Sequence, residues 1–155
     1  MSLFARNLFF LILQPGTVVV LIPYFILVKW PILSRNPFLV WRLLALLLFI
    51  TGLAVLVHCI WLFIRFGKGT LSPFDPTRHL VDQGIYRYTR NPMYLGVLSM
   101  LFSESLFFKS IHLFFYTLII GIIFELFIRI HEEPRMKKHF GPEYSEYQKK
   151  VRRWF

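Results

Sequence analysis

The sequence contains little cysteine and little acidic charge for its length. Of 155 residues, one is a cysteine (Cys59), and 8 are Asp or Glu against 18 Lys or Arg. A single thiol excludes an intrachain disulfide and a cysteine-rich zinc site. The formal net charge of +10 suits either nucleic acid or an anionic membrane surface.

Several familiar enzyme motifs are also missing. The chain has no G-x-S-x-G elbow, no P-loop and no G-x-G-x-x-G following a strand, which argues against serine hydrolases and nucleotide-binding folds. Its five histidines show no His-x-x-x-His spacing, so no metal site is predicted. A nucleotide-like cofactor would have to be held in some other way.

Apolar residues, in contrast, are abundant. The chain is 56% hydrophobic and 19% aromatic, with a mean hydropathy of +0.57. These values indicate a membrane protein, and they decide for a membrane surface and against nucleic acid as the partner of the basic residues. We expect one membrane-embedded domain over residues 1–155, with its motif-bearing core at about residues 66–152.

Four apolar stretches predict an all-α integral membrane fold with about four transmembrane helices. Residues 7–28 and 43–64 are free of charge, and no signal-peptide cleavage site follows the first stretch. Residues 91–108 and 110–128 meet at Lys109-Ser110, a break so short that it predicts a closing helical hairpin. Prolines in the first stretch predict a kink.

Basic residues predict the orientation of this fold. With four spans, fourteen of the 18 Lys and Arg fall on the side that holds the N-terminus, the 65–90 loop and the tail from residue 129. The positive-inside rule places that side, and both termini, in the cytoplasm. The tail combines apolar residues at helical spacing with a basic face, which predicts interfacial amphipathic helices on anionic lipid. The apolar positions are Met136, Phe140, Tyr144, Tyr147, Val151 and Trp154.

Two polar clusters lie on the same side, and each has an ordinary structural interpretation. Arginines and tyrosines within residues 78–94 could be interfacial anchors. Glu132-Glu133 before Pro134 could favour a helix N-terminus. Glu125 and Arg129, four residues apart, could form a helix ion pair. His58, inside an apolar stretch, is expected to be a packed core residue.

Taken together, the clusters form a more specific pattern. Leu80-Val81-x-x-Gly84-x-Tyr86-x-x-x-Arg90-Asn91-Pro92-x-Tyr94 precedes Glu132-Glu133, and Phe140-Gly141-x-x-Tyr144-x-x-Tyr147-x-x-x-Val151 follows. This pattern resembles the isoprenylcysteine carboxyl methyltransferase and phospholipid methyltransferase superfamily of integral-membrane enzymes. The resemblance covers roughly residues 66–152. Asn91 stands where the eukaryotic carboxyl methyltransferases typically carry histidine, so the resemblance leaves the substrate class open.

The resemblance implies S-adenosyl-L-methionine as the methyl donor. A glutamate can pair with the donor's ammonium or ribose hydroxyls, an arginine suits its carboxylate, and tyrosine faces attract its sulfonium. Leu80 and Val81 would form an apolar wall for adenine. The implied cofactor-binding residues are Arg78, His79, Leu80, Val81, Tyr86, Arg90, Asn91, Pro92, Met93, Tyr94, Glu132 and Glu133.

The acceptor is implied to be lipophilic, and two nucleophiles remain open. A carboxylate, as in a prenylcysteine-like acid, is ionised at neutral pH and needs only positioning, for which Arg129 is a candidate clamp. A phospholipid amine would have to lose a proton, and Glu125 is the candidate to assist. The carboxylate is our first expectation. The non-enzymatic alternative is a membrane adaptor with a basic, lipid-binding tail, which would show no saturable donor binding.

Overall fold

A computed structural model describes residues 15–30, 39–67 and 79–154. Within these ranges the chain is helical and contains no strand, as predicted. We number its helices in chain order, and a short 3₁₀ turn at Gly84–Arg87 precedes the third. The helices are α1 (Thr17–Lys29), α2 (Leu39–Gly67), α3 (Pro92–Phe108), α4 (Ile111–Phe140) and α5 (Pro142–Lys150).

Two of the described helices, α2 and α4, are long and apolar enough to cross a membrane. Helices α1 and α3 are apolar but shorter. The predicted first span, residues 7–28, lies partly outside the described residues, which begin at residue 15.

Prolines reshape two helices without ending them. Pro23 and Pro134 have no N–H and clash with the preceding turn, so the hydrogen bonds just before them widen from i→i−4 to i→i−5. The N–H of Ile22 bonds to the carbonyl of Thr17, and the N–H of Glu133 bonds to the carbonyl of Ile128. A π-helical turn therefore precedes Pro23 in the first stretch, and the kink itself stays a prediction.

Glycines allow α2 and α3 to pack closely. A Cβ placed on Gly52 would lie 2.7 Å from the carbonyl oxygen of Gly96, and a Cβ on Gly96 would lie 2.9 Å from that of Gly52. The core beside this crossing includes residues from four helices. They are Val19, Leu56, Val97, Met100, Leu101 and Ile120. His58, predicted as a core residue, instead lies exposed and stacks on Trp61; the expectation was wrong because position 58 faces away from the α2–α3 contact.

A two-residue connection joins α3 to α4. Lys109 adopts a left-handed conformation with φ of 47°, which ends α3. The hydroxyl of Ser110 accepts a hydrogen bond from the N–H of Leu113 at 3.3 Å and thereby caps α4. The chain then returns along α3, so the end of α4 lies near the beginning of α3.

The tail is helical, but its apolar face is covered by the protein. Gly141, with φ of 56°, separates the last turns of α4 from α5. Tyr144, Tyr147 and Val151 are buried, and Leu80 and other partly buried side chains pack on them. The hydroxyl of Tyr147 also donates to the carbonyl of Tyr86 at 2.7 Å. The prediction that these three residues rest on lipid is therefore wrong.

Candidate active site

Three segments far apart in sequence meet at one end of the helix bundle. They are residues 89–94 at the start of α3, residues 125–133 in the second half of α4, and residues 152–154, which we call the tail segment. Their polar side chains form two neighbouring groups, the ion pairs around Glu125 and Glu133 and the Tyr94–Glu132 pair. Together we call these groups the carboxylate network. Its members are Arg90, Tyr94, Glu125, Arg129, Glu132, Glu133, Arg153 and Trp154.

The first link joins α3 to α4 through a tyrosine. The hydroxyl of Tyr94 donates to the Glu132 carboxylate at 2.7 Å. The ring of Tyr94 packs edge-on against Phe124, with 4.7 Å between the centroids. The hydroxyl–carboxylate contact fixes one motif residue against the other.

The second link is centred on Glu133. Arg90 approaches this carboxylate to 3.1 Å, and both side chains are largely buried. Arg153 forms a bidentate pair with it, through Nε at 2.9 Å and a terminal nitrogen at 3.0 Å. These hydrogen bonds to Glu133 raise the pKa of Arg153. Two arginines thus share one carboxylate.

The third link is centred on Glu125. Arg153 donates to Oε1 of Glu125 at 2.9 Å, and the Trp154 indole N–H donates to Oε2 at 2.8 Å. Arg129 also pairs with Oε1, as the spacing of four residues predicts. Both oxygens of Glu125 are therefore engaged, which leaves this carboxylate poorly placed to take a proton from a substrate.

The π-helical turn brings Glu125 and Glu133 to one face of α4. Eight residues of regular α-helix would leave two side chains about 80° apart around the axis. The turn at Ile128–Glu132 absorbs about one extra residue, so the interval behaves as two full turns. One guanidinium, that of Arg153, can therefore reach both carboxylates.

Backbone hydrogen bonds attach the tail segment to the start of α3. The carbonyl of Arg153 accepts from the Thr89 hydroxyl and from the Asn91 side-chain amide, each at 3.0 Å. The N–H of Arg90 donates to the carbonyl of Arg152 at 3.0 Å. Thr89 and Asn91 are both buried. Asn91 therefore contacts the backbone of the tail segment through its amide.

The other predicted cofactor residues lie around the network or apart from it. Val81 and Tyr86 are buried in an apolar cluster with Cys59 and Leu62. Burial raises the pKa of Tyr86, and its ring packs edge-on against Phe63.

The remaining predicted positions are more varied. Leu80 packs against the tail, and His79 is exposed. Pro92 begins α3 as a buried residue, and Met93 packs beside two apolar clusters. Arg78 lies outside the described residues.

Sequence reasoning missed Thr89, Arg153 and Trp154. Arg153 was counted among the basic residues of a lipid-facing tail, and Trp154 among its apolar positions. No periodicity signals their role, because their partners are 20 to 64 residues away in the chain. The available hint was the Arg152-Arg153 pair in the tail that follows Glu132-Glu133, since arginines commonly pair with carboxylates.

Comparison with known families gives one match. Residues 40–143 match the family model described as phospholipid methyltransferase. Searches of curated proteins and of solved structures gave no match. The matched region is well over half of the chain and includes both motif segments, whereas the tail segment lies beyond it. The chain therefore belongs to the phospholipid methyltransferase family, within the superfamily of membrane methyltransferases that also contains the isoprenylcysteine carboxyl methyltransferases.

Proposed function

We propose that this protein is one membrane-embedded domain that transfers a methyl group from S-adenosyl-L-methionine to a lipophilic acceptor. The observation that carries the proposal is the meeting of the two motif segments through Tyr94–Glu132 and Arg90–Glu133. Family membership supplies the reaction class. A basic adaptor would have no need for buried carboxylates held by tyrosine and arginine, since lipid binding requires only exposed cations.

The residues present fit the donor. Bound there, it would supply a methyl group already activated on a sulfonium, with a zwitterionic amino-acid end. Among the described residues, the buried Nε and Nη1 of Arg90 have no hydrogen-bond acceptor, although Nη1 lies 3.1 Å from the Glu133 carboxylate as an ion pair. Free N–H groups on a guanidinium suit a carboxylate ligand. Glu132 offers a carboxylate for an ammonium or for hydroxyls, and the ring of Tyr94 can border a cation. Tyr86, with its ring in the apolar cluster, would support the wall of the site.

Donor binding is the direct test of this proposal. In calorimetry on purified full-length protein, Glu132→Gln should weaken donor affinity about tenfold, the value of one charge-assisted hydrogen bond. Glu146→Gln, which removes an exposed acid on α5, is the matched control and should leave affinity unchanged. If Glu132→Gln lowered only the melting temperature, Glu132-Glu133 would be a structural feature of the helix, and the assignment of Glu132 to cofactor binding would be wrong.

For the acceptor, a lipid-like carboxylic acid is our first candidate. The Arg129 side chain is 60% exposed and could contact an anion at the membrane surface. A carboxylate nucleophile would need such a clamp and no base.

A phospholipid amine is the second candidate, and the description of the matching family favours it. An anionic phosphate could then use the same Arg129. Proton removal would fall to a group other than a fully engaged Glu125, or would require Glu125 to release Trp154.

Kinetics of two variants separate the candidates. With a prenylcysteine analogue as acceptor, Arg129→Ala should raise KM while donor affinity is kept, and Glu125→Gln should be mild. With phosphatidylethanolamine, Glu125→Gln should lower kcat and flatten the alkaline dependence of the rate, because a proton must leave the amine. Loss of stability alone in both variants would reduce the pair to a structural salt bridge.

The proposed topology has four spans, with the network and both termini on the cytoplasmic side. The acceptor would enter sideways from the bilayer and the donor from the cytosol. A cysteine at the exposed position Gln83, on a Cys59→Ser background, should react with impermeant reagents only from the cytoplasmic side. Labelling from the opposite side would contradict the topology.

A further inference from the structure

We infer that Arg153 is a positioning residue that couples the donor side of the site to its acceptor side. The inference rests on the proposed function. It concerns a residue outside the family match at residues 40–143, so the match does not assign it a role. The structural basis is a single guanidinium shared between Glu133 and Glu125.

On the donor side, Arg153 fixes the rotation of the Glu133 carboxylate. Its Nε and one terminal nitrogen bind the two oxygens of Glu133 in a fork, a geometry that holds a carboxylate in one plane. Arg90 contacts the same carboxylate at 3.1 Å. The direction in which Arg90 points toward a donor therefore depends on Arg153.

On the acceptor side, the remaining terminal nitrogen of Arg153 binds Glu125 at 2.9 Å. Trp154 binds the other oxygen of Glu125 and prevents it from turning. The exposed side chain of Arg129 has Glu125 as its partner, so the position of this proposed clamp depends on the same anchor.

Arg153 can act in this way because its own backbone is held. Its carbonyl oxygen receives two hydrogen bonds from the start of α3, from Thr89 and Asn91. The guanidinium therefore extends from a fixed point toward α4, and little side-chain freedom remains to be lost when ligands bind. A lysine here would keep the charge but lose the fork and the second carboxylate.

Donor calorimetry on the full-length protein tests the coupling without an acceptor. Arg153→Gln should raise the donor Kd about tenfold. Glu125→Gln should raise it about threefold in the parental protein and not at all in the Arg153→Gln background, because the effect travels through Arg153. Lys149→Gln removes a nearby charge from an exposed side chain of α5 and should leave the Kd unchanged.

Two further variants keep the inference testable, one by testing the fork geometry and one by replacing Arg153→Gln if that variant does not fold. Arg153→Lys should remain closer to Arg153→Gln than to the parental protein, because the fork is lost. Thr89→Val serves if Arg153→Gln proves too unstable to purify. It removes one hydrogen bond from the carbonyl of Arg153, changes no carboxylate, and should raise the donor Kd about twofold to threefold.

The outcomes are distinct. A parental protein that does not bind the donor overturns the proposed function, and the inference with it. A parental protein that binds, with Arg153→Gln binding equally well and only melting earlier, overturns the inference alone. Additive effects of Glu125→Gln and Arg153→Gln, or full recovery in Arg153→Lys, overturn it as well.

Discussion

The two ends of the helix bundle use arginine and aromatic residues in different ways. At the α3–α4 connection, Lys29 lies 4.8 Å from the ring of Trp30, which stacks on His112, and Arg42 lies over Phe107. No carboxylate takes part in these contacts. At the other end, Arg65 also lies over aromatic rings, those of Trp61 and Phe66, but Arg90, Arg129 and Arg153 are all bound to glutamates.

The difference separates anchoring from positioning. A cation on an aromatic face tolerates sliding and rotation, which suits a residue at a membrane surface. A guanidinium shared between carboxylates has a fixed orientation, because each N–H has one partner in one direction. The carboxylate network thus has the rigidity that methyl transfer by positioning would need, and the opposite end does not.

The largest expected effect is that of Glu133→Gln. It removes the shared partner of Arg90 and Arg153, whose guanidinium groups are largely shielded from solvent. Neutralising one member of such a pair costs about 2 kcal/mol at this partial exposure. If the whole loss falls on donor binding, the donor Kd rises about thirtyfold. Calorimetry and a thermal melt on the same sample measure both consequences.

The matched control for this change is Glu143→Gln, which neutralises an exposed acid in the first turn of α5. An equal loss of donor affinity in Glu143→Gln would mean that overall charge determines donor binding, and not the hydrogen bonds and ion pairs of the carboxylate network. The comparison between the two ends would then lose its meaning.

An intermediate effect is expected for Tyr94→Phe. The change deletes the hydroxyl that donates to Glu132 and keeps the ring against Phe124. One hydrogen bond to a charged group is worth about 1.5 kcal/mol at the low end, so donor affinity should fall about tenfold or somewhat less. Tyr24→Phe, at an exposed ring on α1, is the control. Unchanged donor affinity in Tyr94→Phe would show that the Tyr94–Glu132 hydrogen bond takes no part in donor binding.

Some of this arrangement could be predicted from the sequence, and particular residues show why the rest could not. Lys109-Ser110 separates α3 from α4 because a left-handed residue and a capping hydroxyl are local signals. The Glu125–Arg129 pair follows from helical spacing alone.

Contacts that depend on the folded tail escaped prediction. Arg153 reaches Glu125 and Glu133 only because Gly141 turns the chain, Tyr147 binds Tyr86, and a π-helical turn realigns α4. Each step is simple, but none is encoded at the position of Arg153. The same fold-back explains why Tyr144 and Tyr147, which carry the periodicity of a lipid-facing helix, are buried in protein.

The smallest effect is expected at the opposite end, for Arg42→Gln. Arg42 is exposed and lies 5.7 Å from the centre of the Phe107 ring. An exposed cation–π contact contributes about 0.5–1 kcal/mol, so the thermal melt should shift slightly. Donor affinity should stay within about twofold of the parental value, since a helix of about 25 Å separates Arg42 from the network. A strong loss of donor affinity in Arg42→Gln would show that the two ends are coupled through α2 and α3. In that case the close contact of Gly52 with Gly96, where these helices have no room to slide, would be the first place to look for the connection.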